Sequence, residues 1–498
     1  MGTWELTLAA LLKIVFLLAV VVGAFAPVLV WAERRQSAMI QDRLGPQRAH
    51  IPLPRGLVDL MKWSLGPLQA STMAALGAAG ACIVVLIAMW LFSLETVFDQ
   101  PAETFYLGIL GFGVLGFLLS LGHRAHRAIV GNDGKLALLG LLHPAADAVK
   151  MLWKEDFQPP RADKLLFGLA PVITLIPAIL SLAVIPFADT LYYGFASDLV
   201  FQGHAWGAVD AGPTMSDAAW VAWAQANVGD AAALTEAVLV PMQVASLNVG
   251  VLFIFAVAGT GIIGAAIGGY ASDNKYSLLG GLRAASQMVS YEVVLGLTLV
   301  PCFMVYDSVR LEDIARWQYE AQWWGIFIPP LSLAAILYSF AAIAETKRIP
   351  FDVPEGESEL VGGYLTEYSG MKFGMFFTGE FVEMAVLGAL AAIFFFGGWD
   401  VPFLFEHGFD LPGTWELAIP LTNWSIGDTI LIEHWGVLAI QLGFFIFKIV
   451  ALLWLQMMIR WTLPRFRYDQ IMALCWKGLL PLSLLNILIT GILVLLWG

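Results

Sequence analysis

Runs of apolar residues about 20 long, nearly free of charge, alternate with more polar stretches along the whole chain. They fall near residues 9–31, 74–94, 104–122, 165–187, 247–269, 287–306, 325–344, 373–396, 436–458 and 478–497. Each can cross a hydrocarbon core roughly 30 Å thick. Lipid offers no partner for backbone N–H and C=O groups, so such segments must be helices or a closed barrel. A barrel would show short segments alternating apolar and polar residues, and these runs do not. The pattern predicts an all-α polytopic membrane protein with about ten transmembrane helices. The first run lacks a basic start and a small-residue cleavage pattern, which predicts an uncleaved anchor. Residues 136–156 mix leucines, Met151 and Trp153 with Asp147, Lys150, Lys154 and Glu155. That pattern predicts an amphipathic helix lying in the membrane interface, starting near Pro144 because proline suits a first turn.

Composition sharpens this picture. The chain is 59% hydrophobic and 13% charged, with a mean hydropathy of +0.77. Lys and Arg concentrate in one set of loops, around 34–62, 124–164, 275–283, 347–372 and 460–477. The opposite set carries only Arg310 and Arg316, and its two longest loops, 188–246 and 400–435, contain no basic residue. The positive-inside rule therefore places the basic loops in the cytoplasm and both termini on the periplasmic side. The net charge of −13 accumulates in the outward loops, so it describes one membrane face and points to no nucleic-acid partner. Cys82, Cys302 and Cys475 lie far apart without metal-ligand spacing, and three thiolates cannot complete a four-cysteine iron–sulfur site. His123, His126 and His143 have no recognisable metal spacing, so no metal is expected. The glycines of 259–269 lie in an apolar span, where small residues permit close helix packing.

The densest charge lies in the cytoplasmic loop 345–372. Glu345, Asp352, Glu355, Glu357, Glu359 and Glu367 face Lys347, Arg348 and Lys372, while Pro350 and Pro354 forbid one continuous helix. Crowded, partly buried carboxylates disfavour one another's ionisation, so their titrations should couple. A solvated acidic loop that binds another protein is the competing reading. Inside the spans stand Lys13, Glu292, Glu380, Glu383 and Lys448. Buried membrane charges are costly and usually pair or line a polar path; near span ends, snorkelling competes. Two arginine clusters, Glu33-Arg34-Arg35 with Arg43 and Arg460 with Arg465 and Arg467, read as positive-inside anchors or as frames for a polar headgroup.

Six stretches carry a resemblance: ERR…QDRLGP at 33–46, AADAVKMLWKED at 145–156 and DNKYSLLGGLRAASQMVSYEV at 273–293, then AETKRIPFDVPEGESELVGGYLTEYSGMKFGMFFTGE at 344–380, FFGGW at 395–399 and LPRFRYDQIMALCWKGLLPLSLLN at 463–486. In this order they resemble the H subunit family of respiratory complex I (NADH-quinone oxidoreductase), the bacterial counterpart of mitochondrial subunit 1.

The resemblance implies an eight-span core in the bacterial inner membrane, helping to build a chamber through which quinone, the substrate, reaches a partner's cluster. It implies no flavin, iron–sulfur cluster or metal in this chain; FMN and the clusters are expected in partner subunits. The implied partners are peripheral quinone-site subunits, small membrane-arm subunits and lipid. By the same match, Glu33, Arg34, Arg35, Arg43, Asp147, Lys150 and Arg465 are candidates for the quinone chamber. Glu292, Glu345, Asp352, Glu355, Glu357, Glu359, Glu367 and Glu380 are candidates for proton coupling, with 350–363 as the switching element. Lys448 is a candidate membrane charge relay.

The sequence departs from the family pattern at Gln47, His143 and Phe381, the last removing a tyrosine hydroxyl beside Glu380. It also carries an insertion near 55–135 with two extra spans. This divides the chain into 1–54, the hairpin 55–135 and the remaining core 136–498. The outward loops 188–246 and 400–435 look enlarged. A related membrane anchor of a membrane-bound hydrogenase and a stand-alone proton-coupled transporter are the rival functions. A transporter would commonly show internal repeats, and none is evident.

Overall fold

A computed structural model of the chain describes residues 26–41, 67–78, 142–189, 242–321, 323–405 and 434–497. It also describes shorter stretches between 11 and 136 and short strands within 191–240 and 408–431. Helices dominate the described residues, and the strands, two or three residues long, occur only in loops. The chain forms two compact units: Met1–Leu29 with Lys150–Leu417 and Ile426–Gly498, and a smaller one, Val30–Val149 with Ala418–Ser425.

The smaller unit holds most of α1 (Ala26–Ile40) and the start of α2 (Leu142–Trp153). The Glu33-Arg34-Arg35 cluster lies within α1 rather than after it. Pro144 falls in the first turn of α2, where its missing N–H leaves no helical bond unmade. Val149, Leu152 and Trp153 are exposed on α2, the apolar face an interfacial helix offers to lipid. Antiparallel pairing of Ile51 with Leu136 and Pro52 with Lys135 joins chain segments on either side of the predicted insertion.

In the larger unit, six helices among the described residues are long and apolar enough to cross a membrane: Lys164–Val184, Gly250–Ala271, Lys275–Tyr306, Gly370–Phe395, Gly436–Thr462 and Tyr468–Leu496. The shorter apolar helix Pro329–Glu345 stands between the third and fourth. All seven coincide with apolar runs seen in the sequence. The runs at 9–31, 74–94 and 104–122 lie largely outside the described residues.

Local chemistry explains these elements. Helix α3 (Lys164–Ser181) starts where the Asp163 carboxylate accepts hydrogen bonds from the N–H groups of Leu165 and Leu166, the usual acidic N-cap. Helix α4 (Gly250–Ala271) packs through small residues. A Cβ at Gly264 would meet Thr174 Oγ1 and the Ala170 carbonyl of α3, and one at Gly269 would meet the Ser277 carbonyl 2.5 Å away.

Helix α5 (Lys275–Tyr306) is capped by Asn274 and begins twelve residues before the apolar run near 287. At 1.5 Å per residue its 32 residues span about 48 Å, longer than the hydrocarbon core. Its first turns therefore form a platform beyond the apolar run. An amphipathic helix α6 (Leu311–Ala321) leads to α7 (Pro329–Glu345), which has prolines at its first two positions. Helix α8 (Gly370–Phe395) is the most enclosed span. Helix α9 (His434–Thr462) is followed by α10 (Tyr468–Ala473), a π turn (Leu474–Leu479) and α11 (Leu480–Trp497).

Candidate functional site

The acidic loop is folded into protein rather than solvated. Helix α7 ends at Glu345, and Lys347 takes a left-handed conformation (φ +53°) that turns the chain back. The buried Gln287 carboxamide, where the platform of α5 meets its apolar run, donates to the carbonyls of Ala344 and Phe351, both at 2.8 Å. Phe466 N–H, just before α10, donates to the Pro350 carbonyl at 3.0 Å. The Phe351 ring packs between Tyr291 and Phe466.

Past a single helical turn, Glu357–Leu360, Val361 adopts φ +66° and ψ −55°. The Gly362 N–H then reaches the Leu360 carbonyl at 2.8 Å. This tight turn is rare for a β-branched residue. Gly363 (φ +56°) is required where it stands, since a Cβ there would collide with the Pro354 carbonyl oxygen.

This fold brings charges together around Glu380 of α8, which is 3% exposed. Lys347 Nζ lies 3.8 Å from Glu380 Oε1 and Arg348 Nη2 lies 3.5 Å from Oε2. Tyr364 OH donates to Oε1 at 2.8 Å. The Arg348 guanidinium also sits 4.6 Å from the centre of the Phe381 ring, a cation–π contact at the position where the family pattern has tyrosine. Lys347 lines a small cavity together with Glu292, Glu345, Glu383, Thr174 and Met288. A single buried ammonium thus stands between the Glu380 cluster and a second group of carboxylates.

Toward the loop surface, Arg465 Nη2 donates to Asp352 Oδ2 at 2.7 Å. Burial pushes the Asp352 carboxyl up to about 6, against the pull of Arg465 and with a further push from Glu380. Burial, then the nearby Glu380 and Asp352 carboxylates, push Glu355 up to about 8, with Arg348 and Lys347 opposing. These groups hold or release protons near neutral pH, and each senses its neighbours' charge.

Other candidates take different places. Glu359 is exposed and paired with Arg283 at 2.7 Å, and Glu367 accepts from Asn274 Nδ2 at 2.7 Å. Both contacts fasten the loop to the start of α5. Backbone atoms of Glu357 open the single turn, while its side chain lies outside the described residues. In the smaller unit Arg34 pairs with Asp147, with Glu33 and Arg35 on the same helix. Lys150 is exposed, and Arg43 lies outside the described residues.

Lys448 is buried among carbonyl oxygens at the C-terminal end of α8. Reading the sequence did not place Lys347, Arg348 and Tyr364 around Glu380. Basic residues directly after a span look like topological anchors, so only three-dimensional folding reveals their burial. Glu383 carried a usable signal, three residues from Glu380 on one helix face.

The protein-family model described as NADH dehydrogenase matches residues 132–203 and 212–491. The H subunit of NADH-quinone oxidoreductase from Thermomicrobium roseum is 41% identical over 411 residues, covering 78% of this chain and 96% of that protein. The H subunit numbered 1 of the same enzyme from Geobacter metallireducens is 41% identical over 360 residues, covering 72% of this chain and 85% of its own length. The H subunit numbered 2 from Geobacter sulfurreducens is 40% identical over 360 residues, with the same two shares. With its apolar helices and its folded acidic loop, the chain belongs to the NADH dehydrogenase family, as a membrane subunit of an NADH-quinone oxidoreductase.

Proposed function

We propose that this protein forms part of the quinone-access chamber and couples quinone reduction to proton translocation. The observation that carries the reading is the succession of ionisable side chains from the Arg465–Asp352 pair through Glu355 to Glu380 with Lys347 and Arg348. It continues to the cavity holding Glu292, Glu345 and Glu383. In this reading quinone, held by partner subunits and by residues such as Arg465, changes charge on reduction. That change shifts proton occupancy of Asp352 and Glu355. Glu380 then exchanges its share of Lys347 with the carboxylates of the cavity, so that altered charge at the loop is felt deep in the membrane.

Coupling over this distance needs an element with two arrangements as well as contiguity, and the loop 350–363 is that element. Glu357, Glu359 and Glu367 contribute to its charge. The basic loops face the cytoplasm and both termini the periplasm, with flavin and iron–sulfur chemistry supplied by other subunits.

The test uses the assembled complex in sealed vesicles. Glu355→Gln and Glu380→Gln are expected to keep quinone reduction above half of normal while the protons moved per electron fall severalfold. An unchanged proton-to-electron ratio in both variants overturns the proposal.

A further inference from the structure

The outward end of α8 contains a charged site that the coupling path does not use. After Phe395 the chain turns through Gly397 (φ +76°) and Gly398 (φ +55°). The carbonyl oxygens of Phe396, Gly398 and Asp400 converge on one point. Lys448 Nζ, from the middle of α9, occupies it at 2.7, 2.9 and 2.6 Å. The rings of Trp324 and Phe444 each lie 4.8 Å from the same ammonium.

An ammonium has three N–H donors and no acceptor, so three carbonyls satisfy it completely. The C-terminal end of α8 adds the negative pole of its dipole, and aromatic faces favour a cation when water is excluded. Lys448 is only 7% exposed.

The surrounding residues are built to hold this turn. Gln318 donates to the Ile393 carbonyl at 2.6 Å and accepts from the N–H groups of Gly325 and Gly397 at 2.9 and 3.0 Å. Trp324 Nε1 donates to Asp400 Oδ2 at 2.9 Å. A Cβ at Gly397 would lie 2.9 Å from the Trp324 ring, so glycine serves both the backbone angle and the approach of the aromatic.

We propose that residues 396–400, with Trp324 and Phe444, form a cation cage for a primary ammonium, and that the chain's own Lys448 permanently fills it. Lys448 is then a positioning charge that ties α9 to the end of α8 and to the entry of α7, and it passes no proton. A relay needs a titratable acceptor on its N–H groups. Here each N–H meets a backbone carbonyl, and Asp400 turns a carboxylate oxygen to Trp324 instead.

The experiment replaces Lys448 in the complete complex. Lys448→Met is expected to lower the melting temperature by about 5 °C, or to reduce assembly, while the complex that forms keeps its proton-to-electron ratio. Lys448→Ala opens the cage, and methylammonium present during solubilisation and assay is expected to restore melting temperature and yield. Tetramethylammonium, which has no N–H to give the carbonyls, is expected not to. A Lys448→Met complex of normal stability with a lowered proton-to-electron ratio overturns the proposal, as does a Lys448→Ala complex indifferent to methylammonium. The melting and methylammonium readings stand apart from the pumping proposal, so failure of one is distinguishable from failure of the other.

Discussion

Glu355 carries two identities in one side chain, an ordinary acid when the chain is unfolded and one titrating near 8 when folded. Between those values the folded state binds more protons than the unfolded state, so stability must fall as pH rises across the window. The melting temperature of the complex is expected to decline from pH 5 to pH 8, and Glu355→Gln should flatten the upper part of that decline. Asp352, pushed up to about 6, contributes the lower part with the same sign. Removing its cation by Arg465→Met is expected to raise the Asp352 pKa above 6 and move its carboxyl band in infrared pH titrations to higher pH; an unmoved band would show that the pair does not govern it. The acids of this cluster were legible in the sequence because their spacing and density are unusual for a membrane protein. Lys347 and Arg348 were not, since their significance lies in burial beside Glu380, a residue distant in sequence on another helix. Phe381 shows the same limit: loss of a hydroxyl was readable, but the guanidinium packed on its ring was not.

Elements are held in place by glycines at close approaches. A Cβ at Gly280 of α5 would stand 2.6 Å from the Tyr364 nitrogen and 2.7 Å from Gly363 Cα. Gly280→Ala is therefore expected to lift the loop from α5 and displace Tyr364 from Glu380, at a cost of about 1–3 kcal/mol typical of an overpacked core. The readings are reduced complex on native gels and faster proteolysis within 350–370; unchanged assembly and proteolysis would contradict the packing. By contrast, Glu359→Gln breaks only a half-exposed ion pair with Arg283, and such pairs are worth about 0–1 kcal/mol. Its melting temperature should barely move. Apolar periodicity revealed where the helices cross, because lipid imposes that length. It did not reveal the platform of α5, where Gly280, Gly281 and Arg283 interrupt the apolar pattern although the backbone remains helical from Lys275.

At the scale of the molecule, the family identity rests on apolar helices and relatives together. Charge asymmetry between the two sets of loops predicts that a tag fused after Gly498 will be reached by a membrane-impermeant reagent in cells whose outer membrane has been permeabilised. A cysteine at position 359 should react only after the inner membrane is opened, and the reverse pattern would overturn the orientation. Seven helices after residue 135 were legible as apolar runs and recur as helices. The small-residue contact between α4 and α5, where Gly269 meets Ser277 and Gly281, depends on a tight return through residues 272–274 that hydropathy alone does not describe.

One carboxamide decides how firmly the turn after α7 is held. Gln287 grips the carbonyls on both flanks of the turn, Ala344 before it and Phe351 after it. Releasing one flank leaves an N–H of the buried carboxamide without its acceptor, a penalty of about 1–3 kcal/mol, so partial departures are expected to be short-lived. The turn is therefore expected to let go as one unit once a perturbation exceeds that penalty. Amides from 351 to 363 should exchange with deuterium as one cooperative group, and Gln287→Leu should shorten the lifetime of the closed state for all of them at once.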